Sequence, residues 1–429
     1  MTCRCGPVPG LRRLESGITN RESEIYTMFT FQQALNVVKT KVTPANVKVG
    51  TEVVPLGEAC GRVLAEDVLA DRDYPPFPRS TRDGFAVRAE DLLSTPVELH
   101  SRGEIRAGEH FSGVIGTGEC VSIMTGAPLP DGADAVVMVE YTDSAGDSAK
   151  VLRAVRTGEN VVPQGSEARH GTVVLTRGRR VGAAEVGLLA TVGKARVAVY
   201  VRPVVAIVPT GDEVIPVEQA PEWFQTRNSN AVALSAQVTS AGGIARCLEV
   251  APDRPEALRR LIGEGLESDL LLLTGGVSAG KYDLVEQILS ELGAEFYFQS
   301  VALRPGKPLV FGRVGGKFFF GLPGNPISTY VTFAMFARPA LAVLQGAGFE
   351  PPLFLPVRLG KPVARRTGLT MFLPARLERT SGDLVASPVT WQGSGDLVGV
   401  SAADCFIVLP PEQTALAAGD WVDMVLKAP

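Results

Sequence analysis

Residues 270–283 read LLLLTGGVSAGKYD, and this stretch decides the fold class of the chain. Four consecutive leucines, Leu270 to Leu273, cannot alternate between a wet and a dry face. As a strand they must be covered on both sides, as in a parallel sheet with helices on either face. The run stops at Thr274-Gly275-Gly276, and after Lys281 the residues Leu284, Val285, Ile288, Leu289 and Leu292 fall at helical spacing. The stretch therefore predicts strand, glycine turn and helix. Burying a leucine contributes about 1.5–3 kcal/mol against a chain-entropy cost of about 0.5–1 kcal/mol per glycine, so the strand can anchor the turn. A turn so placed offers backbone N–H groups and a positive helix end to an anion. A plain tight turn has the same spelling.

Outward from this stretch the alternation continues. PVVAIVP (203–209) reads as a strand and NSNAVALSAQVTSAGG (228–243) as a helix capped by Asn228 or Ser229. IARCLEV (244–250) is again a strand and RPEALRRLIGEGLES (254–268) a helix. Beyond the helix from Asp283 come FYFQSVAL (296–303), PLVFGRV (308–314), FFFGLPGNP (318–326) and a long helix to about Leu344. This order predicts a doubly wound α/β domain with a mostly parallel sheet over residues 203–348.

The flanks read differently. MFTFQQALNVVKTKV (28–42) predicts an amphipathic helix from Met28, preceded by a 1–27 extension without secretory features. Pro75, Pro76 and Pro78 exclude helix and sheet interior, so YPPFPRSTRDGFAV (74–87) reads as an ordered extended loop. Short apolar runs separated by Gly, Pro and Asp, with a hairpin at DSAGDSAK (143–150), make residues 73–162 a β-rich second domain. Residues 28–72 and 163–202 are expected to form one discontinuous mixed domain. LFLPVRL, DLVASPVTW, DCFIVLP and WVDMVL place a small C-terminal β-barrel-like or sandwich domain over 349–429.

Composition removes several classes of function. The 429 residues carry 42 Lys and Arg against 46 Asp and Glu, a net charge of −4, so broad attraction to nucleic acid or anionic membrane is excluded and an anionic ligand needs a local cluster. The six cysteines are mostly solitary and His100, His110 and His170 show no metal-ligand spacing, which suggests a reduced, cytoplasmic protein without structural zinc. The most apolar helix, Tyr330 to Leu344, contains Arg338 and Pro339 and reads as a core helix.

In doubly wound sheets ligands bind beyond the carboxyl ends of the strands. Two such ends carry acids, Glu213 in Thr210-Gly211-Asp212-Glu213 and Asp283 past the glycine turn. Two carboxylates beside a phosphate-binding turn suit Mg²⁺, which completes its shell with water and phosphate oxygens. Asp283 with Glu286 also spells a helix cap, and both readings stand. Capping does not explain Glu213, because Pro216 and Pro221 prevent a helix there. On the same domain Arg304-Pro305-Gly306-Lys307-Pro308 and Gly321-Leu322-Pro323-Gly324-Asn325-Pro326-Ile327-Ser328 combine rigid turns, two cations and a hydroxyl at a helix start, the equipment of an oxyanion site. Two surface turns with solvated charges are the plainer alternative.

TGGVSAGKYD, PTGDE, RPGKP and GLPGNPIS, with STRDGFAV and IMTGAPLPDGADAVV upstream, resemble the motifs of the molybdopterin molybdenumtransferases, the MoeA and gephyrin E-domain family, from about Met28 onward. The resemblance implies a MogA-like, molybdopterin-binding α/β domain. It implies a Mg²⁺-dependent homodimer that inserts molybdate into adenylylated molybdopterin and releases AMP and the molybdenum cofactor, the pterin being adenylylated by a separate enzyme. By the same resemblance Asp83, Thr125, Glu213, Asp253 and Asp283 are catalytic, with Glu213 and Asp283 on the metal. Gly275, Gly276, Ser278, Arg304, Lys307, Ser328, Ser394 and Arg376 bind substrate, and Asp83 and Thr125 reach the cleft from the second subunit. The chain departs from the family pattern at Arg82, Ser300 and Arg304, where Met, Lys and Lys are usual, and Arg376 stands two residues from an expected arginine. A non-catalytic dimeric scaffold and a pterin or nucleotide pyrophosphate hydrolase are the competing functions.

Overall fold

The computed structural model describes residues 28–106, 108–276, 284–364, 368–380 and 382–427. Its centre is a six-stranded sheet in the order Ile244–Cys247, Val204–Pro209, Leu270–Thr274, Lys317–Leu322, Val310–Val314, Glu295–Phe298. The first four strands are mutually parallel and Val310–Val314 is antiparallel to both of its neighbours, which makes a mostly parallel sheet. All five residues of Leu270–Thr274 are buried, with odd and even positions feeding two separate cores. Leu270 and Leu272 face one layer of helices; Leu271 and Leu273 face the helices Pro255–Gly265 and Leu284–Glu291. Leu292, read above as part of the second helix's apolar face, lies past its end and is 36% exposed.

The first helix begins later than its apolar pattern suggests and packs elsewhere. It spans Phe31–Lys41 because Thr30 caps it, accepting from Gln33 N while the Gln33 side chain accepts from Thr30 N. Phe29 instead bridges to Val301 of the α/β region. Phe31, Ala34, Leu35 and Val38 join the α/β core, whereas residues 54–68 share a core with 175–199. The apolar stripe of this helix covers a hydrophobic face of the α/β region.

In the β-rich region a six-stranded sheet runs Ala135–Met138, Gly84–Val87, Glu119–Ile123, Val97–Ile105, Ser148–Val151, Thr142–Ala145. Gly84–Val87, read from sequence as the end of an extended loop, is an interior strand with all four residues buried. The prolines stop at Pro78, so nothing denies it ladder hydrogen bonds. A Cβ on Gly84 would lie 1.8 Å from the Val137 carbonyl oxygen, so only glycine fits. The hairpin at 143–150 turns through Gly146 at φ +59°.

Five strands close a C-terminal barrel: Thr370–Thr380, Asp383–Pro388, Leu355–Leu359, Trp421–Leu426, Cys405–Leu409, and back to the first. The eleven-residue Thr370–Thr380 is absent from the sequence reading because Pro374 and three charged residues, Arg376, Glu378 and Arg379, break its pattern. Its first half pairs with Cys405–Leu409 and its second with Asp383–Pro388. Phe372, Phe406 and Val425 of the barrel enter the same core as Phe31 and Phe336. The helical run Pro326–Leu344 is long and apolar enough to cross a membrane, but 83% of its most apolar window is buried against this core.

Candidate active site

The strands Val204–Pro209 and Leu270–Thr274 end side by side, with Thr210 N donating to Thr274 O at 2.9 Å. The chain then turns through Gly275 and Gly276 at φ +95° and +63°. A Cβ on Gly275 would approach the Thr210 carbonyl oxygen at 2.6 Å, and one on Gly276 a Val285 methyl at 2.8 Å. Both glycines are therefore set by backbone conformation and close packing. Beneath them the Thr210 hydroxyl is buried without a hydrogen-bond partner among the described residues.

These ends open into a cleft of about 570 Å³ whose lining includes Thr210, Glu213, Arg227, Asn230, Asp253, Gly275 and Gly276. Glu213 is exposed and held by its backbone, its carbonyl accepting from Thr226 N at 2.8 Å. Partial desolvation, then repulsion from Asp212 and Glu213, pushes the Asp253 carboxyl above the usual carboxylate range. Two carboxylates, Glu213 and Asp253, line this cleft against one guanidinium, Arg227, whose Nε donates to the Gln219 carbonyl at 3.0 Å, and the available donors are carboxylate oxygens, the type that Mg²⁺ takes. Among the described residues no three His, Cys, Asp or Glu side chains form a ready metal cage. The donor chemistry fits a cation that shares its shell with water and phosphate, and Glu213 is the described carboxylate that would hold it.

A second cleft of about 500 Å³ adjoins the first, sharing Pro308, Asn325 and Gly395. Arg304, Lys307, Ser328, Trp391 and Ser394 line it, with no carboxylate side chain among its lining. Two links hold it together. Leu303 and Arg304 pair in parallel with Thr370 and Met371 of the barrel, and Ile327 N donates to Ser394 O at 3.0 Å. Arg304 and Lys307 are exposed and make no ion pair with the described residues.

Asp83 and Thr125 meet each other but line neither cleft. Asp83 Oδ1 accepts from Thr125 N at 2.6 Å and from its hydroxyl at 2.8 Å, which holds the carboxyl below its usual range. Arg376 also lies outside both clefts, its Nε donating to the Ala402 carbonyl at 2.9 Å. Ser278 and Asp283 fall outside the described residues. The sequence reading missed Asn230, whose Nδ2 donates to Thr274 Oγ1 at 3.0 Å and to the Gly324 carbonyl at 2.7 Å, tying the glycine turn to the GLPGNP loop. The only signal was the polar N-S-N run at a helix start, which was read as capping. Trp391 was likewise quoted as a strand residue and not as a cleft wall.

A doubly wound α/β domain joined to a β-rich region and a barrel, with a cleft at the carboxyl ends of the strands, defines a MoeA-type protein. The description "MoeA N-terminal region (domain I and II)" matches residues 29–193, "Probable molybdopterin binding domain" matches 206–343, and "MoeA C-terminal region (domain IV)" matches 356–427. The chain is 36% identical over 385 residues to the molybdopterin molybdenumtransferase of Bacillus subtilis, covering 88% of this chain and 90% of that one. It is 33% identical to the Staphylococcus aureus protein of the same name over 87% of this chain and 90% of the relative. A crystal structure of the molybdopterin biosynthesis MoeA protein from Pyrococcus horikoshii aligns over 93% of this chain and all of that one, with a TM-score of 0.76 and 28% identity. The chain belongs to the MoeA family of molybdopterin molybdenumtransferases, and is an enzyme of that family.

Proposed function

We propose that this enzyme inserts molybdate into adenylylated molybdopterin, releasing AMP and the molybdenum cofactor, with Mg²⁺ required. The observation that carries the reading is the pair of adjoining clefts with opposite charge. The carboxylate-lined cleft suits a pyrophosphate accompanied by a cation, and the Arg304–Lys307 cleft suits a tetrahedral oxyanion. Their shared wall would set the two reacting groups side by side, so acceleration comes mainly from proximity and from charge placed in advance.

Glu213 and Asp283 would hold Mg²⁺, which when bound supplies charge neutralisation at the pyrophosphate. Gly275 and Gly276 hold the left-handed turn that packs against Thr210 and Val285 and borders the cleft, a turn of the kind that presents backbone N–H groups to phosphate. Arg304 and Lys307 bind the oxyanion by charge-assisted hydrogen bonds, while Ser328 and Ser394 orient it. Asp83 and Thr125 would act from a second subunit. That reading is supported by their position outside the clefts of their own chain and by an ionised Asp83 facing solvent. A cytoplasmic homodimer supplied by a separate adenylyltransferase is the setting this implies.

Incubation of purified protein with adenylylated molybdopterin, Mg²⁺ and molybdate tests the reaction. AMP release should depend on both ions. Release that ignores molybdate would identify a hydrolase, and no turnover a scaffold. For the shared site, Asp83→Asn and Glu213→Gln should each be strongly impaired, and mixing them should restore activity by placing one intact site in each mixed dimer. Absence of restoration after demonstrated subunit exchange would place the site within one subunit.

A further inference from the structure

At the opposite edge of the central sheet lies a cleft of about 460 Å³ with no part in the reaction above. It opens where the strands begin. Asp269 precedes Leu270–Thr274, Lys317 starts Lys317–Leu322, and Gly315-Gly316 turns that strand back from Val310–Val314. Five residues of strand at about 3.3 Å each place it roughly 16 Å from the glycine turn of the active cleft. Its apolar wall is Val47, Phe318 and Leu344, with the Arg313 guanidinium carbon 5.4 Å from the centre of the Phe318 ring.

Charge in this cleft does not balance. Lys48, Arg313 and Lys317 line it, and Asp269 is the single carboxylate in its lining. Asp269 is already engaged, one oxygen accepting from Lys317 Nζ at 3.4 Å and the other from Val204 N at 2.9 Å. Glu295, opposite Arg313 on the neighbouring strand, is held by Lys41 at 3.7 Å and by the Tyr297 hydroxyl at 3.1 Å. Lys48 and Arg313 have no hydrogen-bond or ion-pair partner among the described residues, and Arg313 Nε is buried without an acceptor.

Cations at this edge could instead serve the carboxyl ends of helices. Two helices end beside the cleft, Phe31–Lys41 and Arg338–Leu344, and several of their last carbonyls already have partners. Val42 N takes Val38 O, Asn46 Nδ2 takes Lys41 O, Gln345 N takes Leu341 O and Gly346 N takes Val343 O. We infer that this cleft binds a small organic phosphate, with the dianion between Arg313 and Lys48 and an apolar body against Phe318 and Leu344. The cavity exceeds what an inorganic anion fills, and the apolar wall would be wasted on one.

Phenyl phosphate is the probe. Soaked crystals should show its phosphate within hydrogen-bond distance of Arg313. In calorimetry on the Lys307→Gln background, which weakens the competing oxyanion cleft, adding Arg313→Gln and Lys48→Gln should raise Kd about tenfold or more. Arg313→Lys should retain most of the affinity, and unchanged unliganded melting would show that the variants fold. Inorganic phosphate should bind more weakly than phenyl phosphate if the apolar wall contributes. An unchanged Kd in the combined variant, or phosphate located only beside Arg304 and Lys307, would overturn the inference while leaving the transferase reading intact.

Discussion

The two halves of the candidate site are built in different ways. The carboxylate half is made by one sheet: consecutive strand ends deliver Thr210, Glu213, Gly275 and Gly276 to the same edge. The cationic half belongs to no single element. Leu303 and Arg304 pair with the barrel strand Thr370–Thr380, and Arg304 and Lys307 share a cleft with Ser394 from a loop almost 90 residues away. Strand order alone fixes the first half, whereas the second exists only when two domains share a core through Phe31, Phe336 and Phe372.

Substitutions in each half should therefore separate. Glu213→Gln should lower turnover on the order of 10²–10³-fold by removing a charge placed for the transition state, with molybdate affinity retained. Its side chain makes no structural hydrogen bond among the described residues, so melting should hardly move; a large stability loss would make Glu213 structural. Gly275→Ala should cost about 1–3 kcal/mol of stability, because a left-handed residue gains a Cβ against the Thr210 carbonyl. Denaturant titration would read that loss, and near-neutral stability would show that the turn can adjust.

Lys307→Gln should weaken molybdate by roughly 1–2 kcal/mol, about 5–30-fold in Kd, with pterin affinity unchanged. Equal losses for both ligands would merge the two halves into one site. The smallest effect should come from Asp253→Asn. The folded carboxyl titrates above its unfolded value, so its ionised form costs stability that appears as pH rises through the folded pKa. Below the ordinary aspartate range the variant and parent should melt alike; near neutral pH the variant should melt slightly higher. Excess Mg²⁺ should erase that difference if a cation occupies the cleft.

Much of the α/β domain was legible because its cues are local. Leu270–Leu273 must be doubly covered, Gly275-Gly276 must turn, and Asn228 caps the next helix by accepting from Ala231 N at 3.2 Å. The barrel strand Thr370–Thr380 was not legible, since its halves answer to two different neighbours and neither imposes one period on the whole. Asn230 escaped for a related reason. Its side chain acts across three segments, at Thr274 and Gly324, and nothing local distinguishes it from a capping residue.

By itself the sequence determined the doubly wound order, the glycine turn, the acids at the strand ends and the cations of RPGKP, since each depends on periodicity or turn chemistry within a few residues. Tertiary structure alone decided that the first helix serves the α/β core, that the barrel closes on Thr370–Thr380, and that Arg304, Ser328 and Ser394 share one wall while Arg376 stands apart. Those outcomes depend on which apolar faces find one another across long stretches of chain. Burial is non-directional and roughly proportional to area, so the partner is settled by the assembled surfaces and not by either segment's own pattern.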